Sequence, residues 1–268
     1  MEFTFLKLLI LGLIVASANV IGGLILFPTG VYKRYKRTLK YVLALGAGFM
    51  LAVTFIEILP KTIEIWQTRK NLPEFGGFLY IPMLLLLGGY LITQFFEHTI
   101  APHFHLGEEV HSDHLISTRS AYTAVGGLLI HTLFDGVSIA AAAQVDDRIG
   151  ILMFIAVLLH KFPEGFTIAS MILATGKGFK EVLIATSLVG LTTLVGVIGF
   201  YLLGTAIESS IAYALPLAAG VTLYVAASDL IPEVNHHGGK NPLVSVSVFV
   251  GVALFFAIHY SLHSLLAL

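Results

Sequence analysis

Long uninterrupted apolar runs constrain this chain more than any other feature. Eight can be read along its 268 residues, at 4–27, 41–60, 79–97, 120–143, 149–175, 181–204, 211–232 and 243–266. Runs of about 20 residues cross a hydrocarbon core of about 30 Å as helices. They are continuous rather than alternating, which excludes an outer-membrane barrel. The first run is longer than the apolar stretch of a signal peptide and ends at Pro28 without a small-residue cleavage site, so it counts as a span. The expected fold class is an all-α integral membrane protein with eight transmembrane helices in one polytopic domain, 1–268.

Composition narrows the function. Only 12% of the residues are charged, against about 25% in soluble domains. That excludes a soluble enzyme and a disordered scaffold. The formal net charge of -1 provides no basic surface for nucleic acid. There is no Gly-rich phosphate loop for a nucleotide. With no cysteines, any metal site must be built from His, Asp, Glu, Asn or Gln.

The loops set the orientation. With the N-terminus outside, nine cations face inward: Lys33, Arg34, Lys36, Arg37, Lys40, Arg119, Lys177, Lys180 and Lys240. Five face outward: Lys7, Lys61, Arg69, Lys70 and Arg148. Lys161 falls inside a span. This bias favours both termini outside, in the cytoplasmic membrane of the cell.

Two segments echo others. Gly48, Leu51, Glu57 and Pro60 in the second span recur as Gly220, Leu223, Asp229 and Pro232 in the seventh, at a constant offset of 172. Five spans separate the two, so they run in opposite directions, as in the inverted repeats of secondary transporters. Glu57 falls toward the outer end of its helix and Asp229 toward the inner end of its own. These carboxylates are expected at the two mouths of a pathway. His131-Thr-Leu-Phe-Asp135-Gly136 in the fourth span is echoed by His160-Lys-Phe-Pro-Glu164-Gly165 in the fifth. A 3+2+3 arrangement with an inverted repeat places both motifs near mid-membrane.

Residues i and i+4 share a helix face. His131 therefore points with Asp135, and His160 with Glu164. Burying an ionised group at a membrane helix centre costs about 2.5–3.5 kcal/mol, so this set needs compensation. A divalent cation supplies it. Two imidazoles and two carboxylates suit tetrahedral Zn²⁺, and also Fe²⁺, Mn²⁺, Co²⁺ or Cd²⁺. Pro163 removes a helical hydrogen bond to Leu159 and frees that carbonyl. Gly136 and Gly165 allow close helix approach. Lys161 lies beside His160, where it would partly neutralise the carboxylates when no metal is bound.

These residues resemble the ZIP family of divalent metal transporters over essentially the whole chain. His131-x-x-x-Asp135-Gly136 is similar to the family's His-Asn-x-x-(Asp/Glu)-Gly, and His160-x-x-Pro163-Glu164-Gly165 to its His-x-x-Pro-(Glu/His). The resemblance implies uptake of Zn²⁺ or a related metal into the cytoplasm through a mid-membrane site, with no cofactor beyond the transported ion. It also implies an elevator-like movement of a transport bundle against a dimerising scaffold, hence a possible homodimer. Three positions depart from binuclear relatives: Thr132 stands for Asn, Lys161 for Asn, Asp or Glu, and Thr193 in the 190–194 stretch for the Glu of the sixth span. Losing these ligands argues for one metal site, with the Lys161 charge where a second cation would sit.

The loop at 98–118 carries His98, His103, His105, His111 and His114 with Glu108, Glu109 and Asp113. Such tracts bind metal, and this one is expected to receive or sense the ion on the cytoplasmic side. His236 and His237 fall in another inner loop. His259 and His263, spaced i and i+4, would capture metal at the outer side or serve packing there. Asn19 lines the path or bonds a neighbouring helix. The competing reading is an intramembrane zinc hydrolase, but the His-Glu-x-x-His motif is absent and four protein ligands leave no open position for water. A metal-sensing receptor would need a signalling domain, for which these loops are too short.

Overall fold

A computed structural model describes residues 5–27, 29–68, 77–99, 118–206, 210–238 and 241–266. The expected loop histidines His103, His105, His111 and His114 lie outside them. The described residues are helical with short connections and contain no strand. We number the helices by span: α1 (Phe5–Leu24), α2 (29–68), α3 (Tyr80–Thr99), α4 (Thr118–Val145), α5 (Asp147–Ala174), α6 (Phe179–Ala206), α7 (210–238) and α8 (Pro242–Leu266). Seven are long and apolar enough to cross a membrane; the apolar part of α3, Tyr80–Phe96, is shorter. His98 sits in the last turn of α3, not in the following loop, and its Nδ1 lies 3.3 Å from the Tyr224 hydroxyl.

The second and seventh helices overrun the apolar stretches that mark them, and each changes geometry midway. Residues Val53–Ile58 of α2 and Val225–Leu230 of α7 are π-helical. These segments sit at equivalent positions of the 172-residue echo and carry Glu57 and Asp229. Single π turns are rare and concentrate at functional sites.

The helices pack in two groups. α1, α4, α5 and α6 form one, and α2, α3, α7 and α8 the other. Inside each group, glycines let backbones meet. In the first, a β-carbon on Gly165 would overlap the Asn19 carbonyl, and one on Gly22 the Phe162 carbonyl. The matching pairs are Gly136 with Thr193 and Gly196 with Leu133. In the second, Gly48 meets Val248 and Gly251 meets Leu45, matched by Gly220 with Leu86 and Gly89 with Leu217. Small residues at helix contacts permit this approach where no hydrophobic effect drives association. Between the groups, a β-carbon on Gly46 of α2 would stand 3.6 Å from that of Leu159 on α5, an ordinary contact rather than an overlap.

α4 and α5 form a hairpin turned by one residue. Asp146 is extended, and its side chain accepts a 2.8 Å bond from the Arg148 backbone N–H, capping α5. Both motif histidines lie about 21 Å down their helices from this turn, at the rise of 1.5 Å per residue. They are therefore level with each other. The α5 span is the most enclosed, 67% buried, against 17% for α8, whose Phe249 and Tyr260 face outward.

Candidate metal centre

The two echoed motifs meet at the centre of the first group. His131, Asp135, His160 and Glu164 each offer a ligand atom within 4.8 Å of the others, and all four are buried. Asp135 is the hub. Its Oδ2 lies 3.3 Å from His131 Nε2 and 3.2 Å from His160 Nε2. The imidazole rings sit 5.8 Å apart, edge to face. His160 Nδ1 donates to the Ala156 carbonyl at 3.2 Å, so in a neutral ring the Nε2 lone pair faces a carboxylate oxygen. Two such acceptors in contact need a proton or a metal ion between them.

The spacing suits a metal. Ligand atoms about 2.0–2.1 Å from a tetrahedral Zn²⁺ stand about 3.3 Å from one another. Both His–Asp distances already match that edge, and Glu164 brings a fourth ligand atom within 4.8 Å of the others.

Lys161 is the sharpest electrostatic feature. It is fully buried, so it does not snorkel. Its ammonium donates to Asp135 Oδ2 at 2.7 Å and to Glu164 Oε2 at 2.7 Å. One cation thus bridges both carboxylates. Pro163 leaves α5 continuous from Asp147 to Ala174, and its own carbonyl accepts from the Thr167 hydroxyl at 3.0 Å. The Thr132 hydroxyl donates to the Leu129 carbonyl at 3.1 Å and so is occupied by backbone. Thr193 is buried beside Gly136, with no hydrogen bond to its Oγ1.

The outer candidates form a separate cluster. Glu57 Oε2 lies 3.1 Å from His259 Nδ1. Arg148 bonds Asp146 through Nε at 3.1 Å and donates from Nη1 to His263 Nδ1 at 2.5 Å. Arg148 belongs to the first group and His263 to the second, so this contact bridges them. Asp229 is buried at its π segment, away from this cluster. His236 lies in the helical end of α7.

A residue that sequence reading left undecided proves central. The Asn19 amide on α1 donates to Glu164 Oε1 at 2.5 Å. A buried amide in an apolar span signals some partner, but nothing local identifies one 145 positions away.

A level pair of His–acid motifs, buried in a helical bundle and sharing a carboxylate, defines the class: a polytopic membrane protein with a buried cluster of groups that could hold a metal ion. Comparison with known proteins makes this specific. The family model described as ZIP Zinc transporter matches residues 103–259, more than half of the chain and including the whole hairpin. Zinc transporter ZIP9-B of Xenopus laevis is 24% identical over 88% of this chain and 87% of its own length. Zinc transporter YKE4 of Saccharomyces cerevisiae is 23% identical over 86% of this chain and 74% of its own. Zinc transporter ZIP10 of Homo sapiens is 30% identical over 45% of this chain and 15% of its own. The chain belongs to the ZIP zinc transporter family. It is a multi-pass membrane transporter of divalent metal rather than an enzyme.

Proposed function

We propose that the chain carries one Zn²⁺ at a time into the cytoplasm, held by His131, Asp135, His160 and Glu164. The observation that carries this reading is the pair of His–Asp separations at a tetrahedral edge, with all four ligand atoms buried within 4.8 Å. Fe²⁺, Mn²⁺, Co²⁺ and Cd²⁺ are the competing cargoes.

Lys161 acts as a tethered cation. It neutralises the two carboxylates in the empty site and withdraws when metal arrives, which leaves room for a single ion. One bound metal per chain is expected, and two strong anomalous peaks at mid-membrane would overturn this. Lys161→Asp should supply a further ligand and admit a second ion; unchanged stoichiometry and selectivity would remove the assigned role.

The architecture is a 3+2+3 inverted repeat with both termini outside. Supporting it are the matched π segments of α2 and α7 and the matched glycine contacts, in which α1 corresponds to α6, α3 to α8 and α4 to α5. Alternating access follows as movement of the α1–α4–α5–α6 group along the α2–α3–α7–α8 group. Glycine interlocks hold each group rigid, and the looser face between them is where motion costs least. The second group is the natural homodimer surface in the bilayer. Glu57 with His259 forms the outer mouth and Asp229 the inner one, and the histidine-rich loop receives the ion in the cytoplasm.

Uptake of radiolabelled Zn²⁺ into proteoliposomes tests the reading. The double variant His160→Ala/Glu164→Ala should fold and lose uptake by more than about 100-fold, since losing only a group that orients a ligand costs about 10–100-fold in metal affinity. Wild-type uptake by that variant would refute the site. Zn²⁺ loaded from the other face, with orientation fixed by a one-sided tag, reads the direction.

A further inference from the structure

We propose that Asn19 is a fifth donor to the transported ion and sets which divalent metals the site accepts; this rests on the metal-site reading above. Asn19 is fully buried on α1. Its amide nitrogen bonds Glu164 Oε1, one of the two oxygens a metal would use. The other, Oε2, is held by Lys161. A carboxylate accepts hydrogen bonds and repels a carbonyl, so the amide cannot be turned around. That leaves Asn19 Oδ1 buried at the site with no hydrogen bond. A buried acceptor left so costs about 1–3 kcal/mol, which a cation beside Glu164 would recover.

The residue at the corresponding position of α6 reinforces the assignment. Thr193 relates to Gly136 as Asn19 relates to Gly165, each seating the glycine on its carbonyl. Its hydroxyl makes no hydrogen bond. The buried hydroxyls of Thr54, Thr93, Thr167, Thr186 and Thr222 instead donate to the carbonyl four residues back, although those of Thr62 and Ser170, like Thr193, make no hydrogen bond. The helices flanking the hairpin therefore each bring one unused neutral oxygen to the level of the motifs.

The chemistry favours a role in selection. Two imidazoles and two carboxylates complete the shell of a four-coordinate Zn²⁺. Mn²⁺ prefers six ligands rich in oxygen. A neutral amide oxygen adds little to the first and a needed ligand to the second. Asn19 thereby broadens the site toward Mn²⁺, and its loss narrows it.

Equilibrium binding of Zn²⁺ and Mn²⁺ to the full chain in detergent tests this without relying on flux. Asn19→Leu should weaken Mn²⁺ by about tenfold, the equivalent of about 1.4 kcal/mol, and Zn²⁺ by less than about threefold. Asn19→Asp, which keeps the shape and adds charge, should bind Mn²⁺ at least as tightly as wild type. Equal losses for both metals in Asn19→Leu, or no loss, would overturn the proposal. If Asn19→Leu does not fold, the Asp variant decides: a Zn²⁺-to-Mn²⁺ ratio below wild type supports the proposal, and an unchanged or raised one refutes it. Wild type that binds Zn²⁺ but not Mn²⁺ also refutes it. Wild type that binds neither overturns the metal-site reading itself, and this proposal with it.

Discussion

The two helix groups are built alike and equipped differently. In each, pairs of glycines seat one helix backbone against the next, at positions that correspond one for one. The α1–α4–α5–α6 group gathers five buried ionisable side chains into one cluster: His131, Asp135, His160, Lys161 and Glu164. The other group keeps its carboxylates Glu57 and Asp229 at π segments of α2 and α7. The same packing device therefore occurs around a buried charge cluster in one group and without such a cluster in the other. The face between them lacks the device, and that difference carries the mechanistic argument.

Cross-linking that face is the strongest way to break the comparison. The chain has no cysteine, so engineered pairs report without background. Gly46→Cys with Leu159→Cys spans the groups at a β-carbon separation of 3.6 Å, and Gly12→Cys with Val197→Cys lies within one group at 3.7 Å. Both fall in the range of about 3.5–4.5 Å that a disulfide accepts. Oxidation of the first pair should abolish Zn²⁺ uptake, and a reductant should restore it. The second pair should transport in both states. Full uptake by the oxidised Gly46/Leu159 pair would refute movement between the groups.

Lys161→Met sharpens the electrostatic side. Breaking a buried ion pair by removing one partner costs about 3–5 kcal/mol, and here two carboxylates lose their counter-ion together. Without metal, the variant should therefore unfold well below wild type in a thermal melt. Saturating Zn²⁺ should restore most of the loss, because the ion takes over the neutralisation. A melting point equally depressed with and without Zn²⁺ would show that Lys161 serves packing alone.

Glycine replacement has a smaller effect and distinguishes interlock from sliding face. Gly136→Ala and its counterpart Gly165→Ala push a methyl into a carbonyl, at a cost of roughly 1–3 kcal/mol. Gly48→Ala and Gly220→Ala should behave the same in the other group. Gly46→Ala meets only ordinary contacts and should be neutral or stabilising by up to about 1 kcal/mol, the helix-interior gain of Ala over Gly. Thermal melts in detergent rank the five; a destabilised Gly46→Ala would mean the face is as tightly locked as the interiors.

Much of this was legible in the residues. The apolar runs mark every helix, because hydrocarbon leaves no other way to satisfy the backbone. The i, i+4 motifs select the residues of the buried His–carboxylate cluster, because that spacing fixes a shared face. What escaped depends on contacts between distant segments. Asn19 meets Glu164 only because Gly165 lets α1 sit on α5. Thr132 matches a ligand position by register, yet its hydroxyl is turned to its own helix. The π geometry at Glu57 and Asp229 is a backbone hydrogen-bond shift with no side-chain pattern of its own, although the echo that contains it was visible.

Arg148 offers the finest test of how the groups communicate. Its guanidinium, anchored by Asp146 at the hairpin turn, reaches across to His263 of α8 and forms a polar bond between the groups. The side chain is partly exposed, and exposed pairs contribute about 0–1 kcal/mol. That bounds the effect of Arg148→Gln on the balance between the two arrangements to about fivefold. On the proposed reading of Glu57 and His259 as the outer mouth, weakening this contact should favour the outward-open arrangement. The apparent KM for Zn²⁺ should then fall by up to that factor, while the maximal rate changes less. The same KM shift in a His263→Ala variant, with no further shift in the double variant, would assign the effect to this bond. Additive shifts would assign it to the charge of Arg148 acting on the incoming cation instead.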